Sequence, residues 1–162
     1  PAALMSKTSS IGILATKGTL SSELFVETSK ALALDIKIIE VVGEGLVKLI
    51  ENGEIASPQT TVLLKKYLEP MLAANIDYLV LGCSHYPYLI KQLKKLLPDN
   101  IQIIDSGQAV ARQTQLVLSS NNLLSTSQAK PKLEFFTNSK AKTLTFLLNQ
   151  YKDSIDISEE IF

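Results

Sequence analysis

The sole cysteine and the sole histidine of this chain stand two residues apart. Cys83 and His85 lie in the stretch IDYLVLGCSHYP at 76–87. A free thiol has an ordinary pKa of about 8.5 and an imidazole about 6.5. Side by side, they can share or pass a proton near neutral pH, and the thiolate is a base or a nucleophile. Specific alternatives fail on spacing. A phosphate-binding Cys-x5-Arg loop needs Arg at 89, which is Leu89. A nucleophile elbow needs glycine at 81 and 85, which are Leu81 and His85. A zinc site needs three or four ligands, and this pair supplies two. What survives is a thiol acting as a base or a simple nucleophile beside an imidazole. The plain alternative stands next to it: a small buried apolar cysteine and a structural histidine.

The elements around the pair decide where it stands. Tyr78-Leu79-Val80-Leu81 is a short apolar run closed by Gly82, which reads as a buried strand. Pro87 suits the first turn of a following helix, where its missing N–H costs nothing. Thiol and imidazole therefore sit on a strand-to-helix loop. The same alternation occurs along the chain. Ile11–Ala15 reads as a first strand, followed by the loop Thr16-Lys17-Gly18-Thr19. Ser21 or Ser22 then caps a helix whose inward face is Leu24, Phe25, Thr28, Ala31 and Leu32. Asp35 marks a turn into the strand Ile36–Val42. Gly43-Glu44-Gly45 leads into a short helix that stops near Gly53. Ser57-Pro58 signals another helix start, with Val62, Leu63, Tyr67, Leu68, Met71 and Leu72 facing inward and a kink at Pro70. After the central strand, Leu89, Ile90, Leu93, Leu96 and Leu97 form a helical stripe. Ile101–Ile104 is the next strand, and Asp105 or Ser106 caps a helix to about Leu118. Residues 119–131 read as a linker. Leu133–Thr137 is a candidate strand, Asn138 a cap for a helix bearing Leu144, Leu147 and Leu148, and Ile155–Ile157 one more short strand.

Repeated strand–helix units predict an α/β fold, a mostly parallel sheet with helices on both faces. The expected division is an α/β lobe over 1–105 and a helix, linker and strand–helix tail over 106–162. The strand ends deliver Thr16 and Thr19, Gly43-Glu44, Cys83-Ser84-His85 and Asp105-Ser106 to one edge, which suits a small anion such as a carboxylate. Beside that stand blander roles: Thr19 and Ser106 as helix caps, Glu44 as a solvated charge, Glu51 as an exposed residue of its short helix.

Composition narrows the field. The 16 basic and 16 acidic residues cancel, which argues against a nucleic-acid or polybasic membrane surface. No apolar stretch approaches the length of a membrane span. A single cysteine forms no intrachain disulfide and suits a reducing cytoplasm.

LGCSHYP closely resembles the LGCTHYP motif of the glutamate racemases, within the aspartate/glutamate racemase family. ILATKGT at 13–19 resembles the family's VIGTxGT, LVKLIENG at 46–53 its FVPLVEEG, and IIDSGQAVA at 103–111 its IDSA-type segment. The resemblance runs from about residue 9 to residue 118. Ser84 keeps the hydroxyl of the usual threonine, whereas VVGEGLV departs from the common CPxFV. The resemblance implies a racemase-like lobe, with the tail completing a second lobe. It also implies that a first half is missing, since the family's Asp-Ser motif, Tyr-Gly pair and CNT cysteine do not occur here.

The same resemblance assigns roles by position. Cys83 matches the second catalytic cysteine, His85 and Ser84 match residues that bind substrate and assist the thiol, Thr16 and Thr19 match threonines near the substrate, and Glu51 matches an acid that influences the histidine. It implies glutamate as substrate, no pyridoxal phosphate, no metal, a cytoplasmic homodimer, and D-glutamate supply for peptidoglycan and cell shape. It further implies that this chain alone is inactive. The alternatives are an aspartate racemase or related member, a non-catalytic amino-acid-binding lobe, and, more distantly, a thiol hydrolase.

Overall fold

The computed structural model describes residues 2–32 and 36–162. Asp35, expected at the turn before the second strand, and the side chain of Leu32 lie outside the described residues. The chain divides into two compact units, one of Pro1–Ile50 with Glu54–Gln108 and one of Glu51–Gly53 with Ala109–Phe162.

The first unit begins with the short helix α1 (Ala2–Met5) and the strand β1 (Ser10–Ala15). Next come α2 (Lys17–Leu20), α3 (Glu23–Leu32), β2 (Lys37–Val42), α4 (Leu46–Glu51) and α5 (Pro58–Ala73). The strand β3 (Tyr78–Gly82) leads through a 3-10 turn at Tyr86–Leu89 into α6 (Ile90–Leu96), and β4 (Gln102–Ile104) closes the set. These strands make one four-stranded sheet in the order β2-β1-β3-β4, with every pairing parallel. The expected α/β architecture is the observed one. Every residue of β1 is buried. Successive strand residues face opposite sides, so this central strand is covered on both faces, as parallel sheets require.

Local chemistry accounts for the elements. Ser57 starts α5: its hydroxyl accepts the Thr60 N–H at 3.1 Å, and Pro58 follows it. The helix then runs without interruption through Pro70. Its buried side is Thr60, Leu64, Tyr67, Leu68 and Met71, which corrects the expected stripe. Val62 is 66% exposed and Leu72 is on the outer face. The inward face is rotated because Thr60 occupies part of it, its hydroxyl satisfied by the Glu54 carbonyl at 2.6 Å. After β3, Leu89, Leu93 and Leu97 are buried as the spacing predicts.

Other expectations are also corrected. Thr16–Thr19 is not an open loop, because Lys17–Leu20 forms a helical turn capped by Thr16. Helix α3 does not bury the face read from its sequence: Leu24 is 76% exposed, and Thr28 and Ala31 are exposed too. Periodicity defines a face but not what covers it. Of the possible caps for this helix, Ser22 acts, accepting the Phe25 N–H at 3.3 Å.

At the opposite end of the sheet, buried Asp77 precedes β3. Its carboxylate accepts the Ser6 hydroxyl at 2.6 Å, the Lys7 N–H at 2.6 Å and the Thr8 N–H at 3.1 Å. Burial pushes this carboxyl up, but the hydrogen bonds from Ser6, Lys7 and Thr8 outweigh it and hold its pKa below the ordinary value.

Helix α7 (Gly107–Ser120) follows, with Asp105 rather than Ser106 accepting the Gly107 N–H at 2.8 Å. The second unit holds β5 (Leu133–Thr137), α8 (Ala141–Leu147) and β6 (Ile155–Glu159), and its two strands pair in parallel. Asn138 is not the cap of α8. The Ala141 N–H donates instead to the Glu159 carboxylate at 2.7 Å, so a residue distant in sequence satisfies the helix start. Among the described residues, no helix is long and apolar enough to cross a membrane.

Candidate functional site

In the first unit the strand order places β1 between β2, which follows it, and β3, which comes later. The connection after β1 therefore runs to one side of it, and the connection after β2 crosses back to its other side. Such a reversal opens a crevice beyond the carboxyl ends of the two strands that flank it, here β1 and β3. Ala15 pairs with Gly82 as the last residues of those strands. The next residues are Thr16 on one strand and Cys83 on the other, so both leave the sheet at the same end. Asp105 follows β4 at that end, and Gly43 follows β2.

Close packing draws the two exits together. A Cβ on Gly82 would lie 2.8 Å from the Ala15 Cβ and 3.6 Å from the Thr19 methyl. Thr19 is thus beside the end of β3, next to the thiol-bearing loop. The Thr16 hydroxyl accepts the Thr19 N–H at 3.3 Å, and the two hydroxyl oxygens are 2.9 Å apart. One hydroxyl donates within that pair, which leaves the other proton to point at an external acceptor. A carboxylate oxygen is such an acceptor.

Cys83 is a free, half-buried thiol. Ser84 is exposed and His85 half-buried, with Ser84 Oγ and His85 Nδ1 3.5 Å apart. That is the outer limit of a hydrogen bond, so the pair is loosely coupled. The Tyr86 N–H donates to the Cys83 carbonyl at 3.2 Å and closes the turn.

Thr16 also borders a concavity of about 410 Å³, lined by Lys17, Val42, Gly43, Glu44, Gly45 and Val47. The site residues Thr16, Thr19, Cys83, Ser84 and His85 therefore share one sheet end. Glu51 is the exposed last residue of α4 and is assigned to the second unit.

Type and spacing do not single out Tyr86. Among the described residues it is the largest fully buried side chain, and its hydroxyl donates to the Gly43 carbonyl at 2.9 Å. A buried tyrosine needs an acceptor, but nothing in the sequence says that the acceptor is a backbone carbonyl in another loop. Among the described residues, no group of three or more His, Cys, Asp or Glu is placed to hold a metal ion.

Comparison with known proteins adds to this geometry. Residues 1–114 match the Asp/Glu/Hydantoin racemase family. The glutamate racemase of Pseudomonas syringae pv. tomato is 44% identical over 133 residues, 82% of this chain and 48% of that protein. The glutamate racemase of Pseudomonas putida strain KT2440 is 42% identical over 148 residues, 91% of this chain and 56% of that protein. The chain thus spans about half the length of these curated relatives. Among solved structures, a glutamate racemase isoform of Bacillus anthracis superposes with a TM-score of 0.82 at 26% identity, over 99% of this chain and 60% of that one. The Escherichia coli glutamate racemase, solved with L-glutamate and the activator UDP-MurNAc-ala, superposes with a TM-score of 0.80 at 27% identity, over 99% of this chain and 61% of that one.

Proposed function

Because the chain belongs to the Asp/Glu/Hydantoin racemase family, we propose that it is the C-terminal portion of a glutamate racemase that interconverts L- and D-glutamate by proton transfer between two thiols. The observation that supports this best is the exit of Cys83 from β3 beside the Ala15–Gly82 pair, with the Thr16–Thr19 hydroxyls next to it.

In this reading Cys83 works as a thiolate. It takes the α-proton from one face of the substrate and becomes a thiol, leaving a carbanion-like centre at Cα. A second thiol, on the segment of the relatives that this chain does not span, delivers a proton to the opposite face. The reverse reaction exchanges the two roles. Thr16, Thr19 and Ser84 supply hydroxyls for the substrate carboxylates, and His85 stabilises the thiolate or carries its proton. Glu51 joins the proposed machinery only on the resemblance of LVKLIENG. Glutamate is favoured over aspartate by the names of the relatives. A role in supplying D-glutamate for peptidoglycan, a cytoplasmic location and a homodimer extend the same proposal.

One fixed thiol serves one face, because a planar intermediate held in a tight site does not turn over. The test is a chiral assay of the purified chain, alone and mixed with a separately produced segment carrying the family's CNT motif. No turnover alone, and turnover on mixing that Cys83→Ser abolishes, is the expected result. Turnover by the chain alone that is lost in Cys83→Ser would overturn the two-sided mechanism. Tight glutamate binding with no α-proton exchange in the mixture would mark a binding lobe instead.

A further inference from the structure

Two tyrosine hydroxyls hold consecutive carbonyls in the loop after β2. Tyr86 donates to the Gly43 carbonyl at 2.9 Å, and Tyr67, from α5, donates to the Glu44 carbonyl at 2.8 Å. The approach of Tyr86 is so close that a Cβ on Gly43 would collide with its hydroxyl. Burial, with Cys83 and Tyr67 nearby, raises the Tyr86 pKa, so the hydroxyl keeps the proton that it donates.

Tyr86 grips two loops at once. Its N–H holds the Cys83 carbonyl, and its hydroxyl holds the backbone that follows β2. A phenylalanine would fill the same apolar space, so what the hydroxyl adds is a directional bond between strand ends. We propose that Tyr86 is a positioning residue: through the Gly43 carbonyl, its hydroxyl fixes the turn that carries Cys83 and so sets where the thiol stands. The inference rests on the reading of Cys83 as the proton-transfer thiol.

Cys83 is the only thiol, so alkylation by iodoacetamide reports on it alone. Tyr67→Phe is the matched control, since it removes a similar bond to the adjacent carbonyl but leaves the Cys83 turn untouched. The expected result is that Tyr86→Phe changes the alkylation rate constant about fivefold, the factor by which one neutral hydrogen bond shifts a local opening equilibrium. Tyr67→Phe is expected to stay within about twofold. In the mixture that racemises, Tyr86→Phe lowers kcat about fivefold while KM holds, the pattern of a group acting on the transition state alone.

An alkylation rate in Tyr86→Phe equal to that of the parent, or an equal change in both tyrosine variants, would overturn the proposal. Should Tyr86→Phe not fold, Gly43→Ala disturbs the same bond from the other side and carries the same comparison. A chain that never racemises in any mixture still shows or lacks the alkylation effect, so failure of the racemase reading and failure of the Tyr86 inference are separable.

Discussion

Ala15 and Gly82 lie directly opposite each other at the ends of adjacent parallel strands, with no room for a methyl group on the glycine. Gly82→Ala would place its Cβ 2.8 Å from the Ala15 Cβ. Both atoms are attached directly to strand backbone, so relief requires the strand ends to part. The expected cost is about 1–3 kcal/mol of folding stability, read from urea midpoints. Ala15→Gly made on top of Gly82→Ala should return part of that loss, since the two changes meet in one clash. A fully additive pair would show that the strain lies elsewhere.

His85→Ala tests whether the imidazole acts on the thiol. If it does, the variant alkylates more slowly than the parent near neutral pH, and the two converge well above the thiol's ordinary pKa of about 8.5. Superimposable rate profiles between about pH 6 and 9 would leave the pair without functional coupling.

Ser57→Ala removes the hydroxyl that accepts the Thr60 N–H in the first turn of α5. The expected loss is about 1 kcal/mol. Ser57→Asp should retain most of the stability, because a carboxylate caps as well and favours the helix N-terminus. Thermal melts of the two variants make the comparison. An alanine variant as stable as the parent would mean that water or a neighbouring group takes over the N–H.

Asp77 makes the chain acid-sensitive. Its pKa in the folded state lies below the ordinary value of 3.8. A carboxyl with a depressed folded pKa contributes stability that is complete above its unfolded pKa and is lost as pH falls through the folded one. Stability should therefore decline below about pH 4. Asp77→Asn should start lower and show a shallower acid limb, as measured by urea unfolding at stepped pH. An unchanged acid limb would assign the sensitivity to other carboxylates.

How much of this was readable in advance depended on the range of the interaction. Ser57-Pro58 and the LGCSHYP turn are local, and the sequence placed both correctly. The α5 face was misplaced at Val62 and Leu72 because burial of Thr60 depends on the Glu54 carbonyl. The cap of α8 went to Glu159, across the β5–β6 pair, where no local pattern could point. The convergence of Thr16 and Cys83 followed from strand–helix alternation, which fixes where strand ends go. The tie between Tyr86 and Gly43 did not, because a backbone carbonyl leaves no mark on residue type.

The central position of β1 has a consequence in time. This strand is made before both of its neighbours, and one of its flanks must wait for β3, which is synthesised only after β2, α4 and α5. Pairing across so much intervening chain carries a large closure entropy and is slow to form. Thr16 can cap its own helical turn at once, but it gains Cys83 as a neighbour only when the sheet's late half docks. The site is thus among the last parts of the first unit to mature, and amide exchange along β3 would follow its completion.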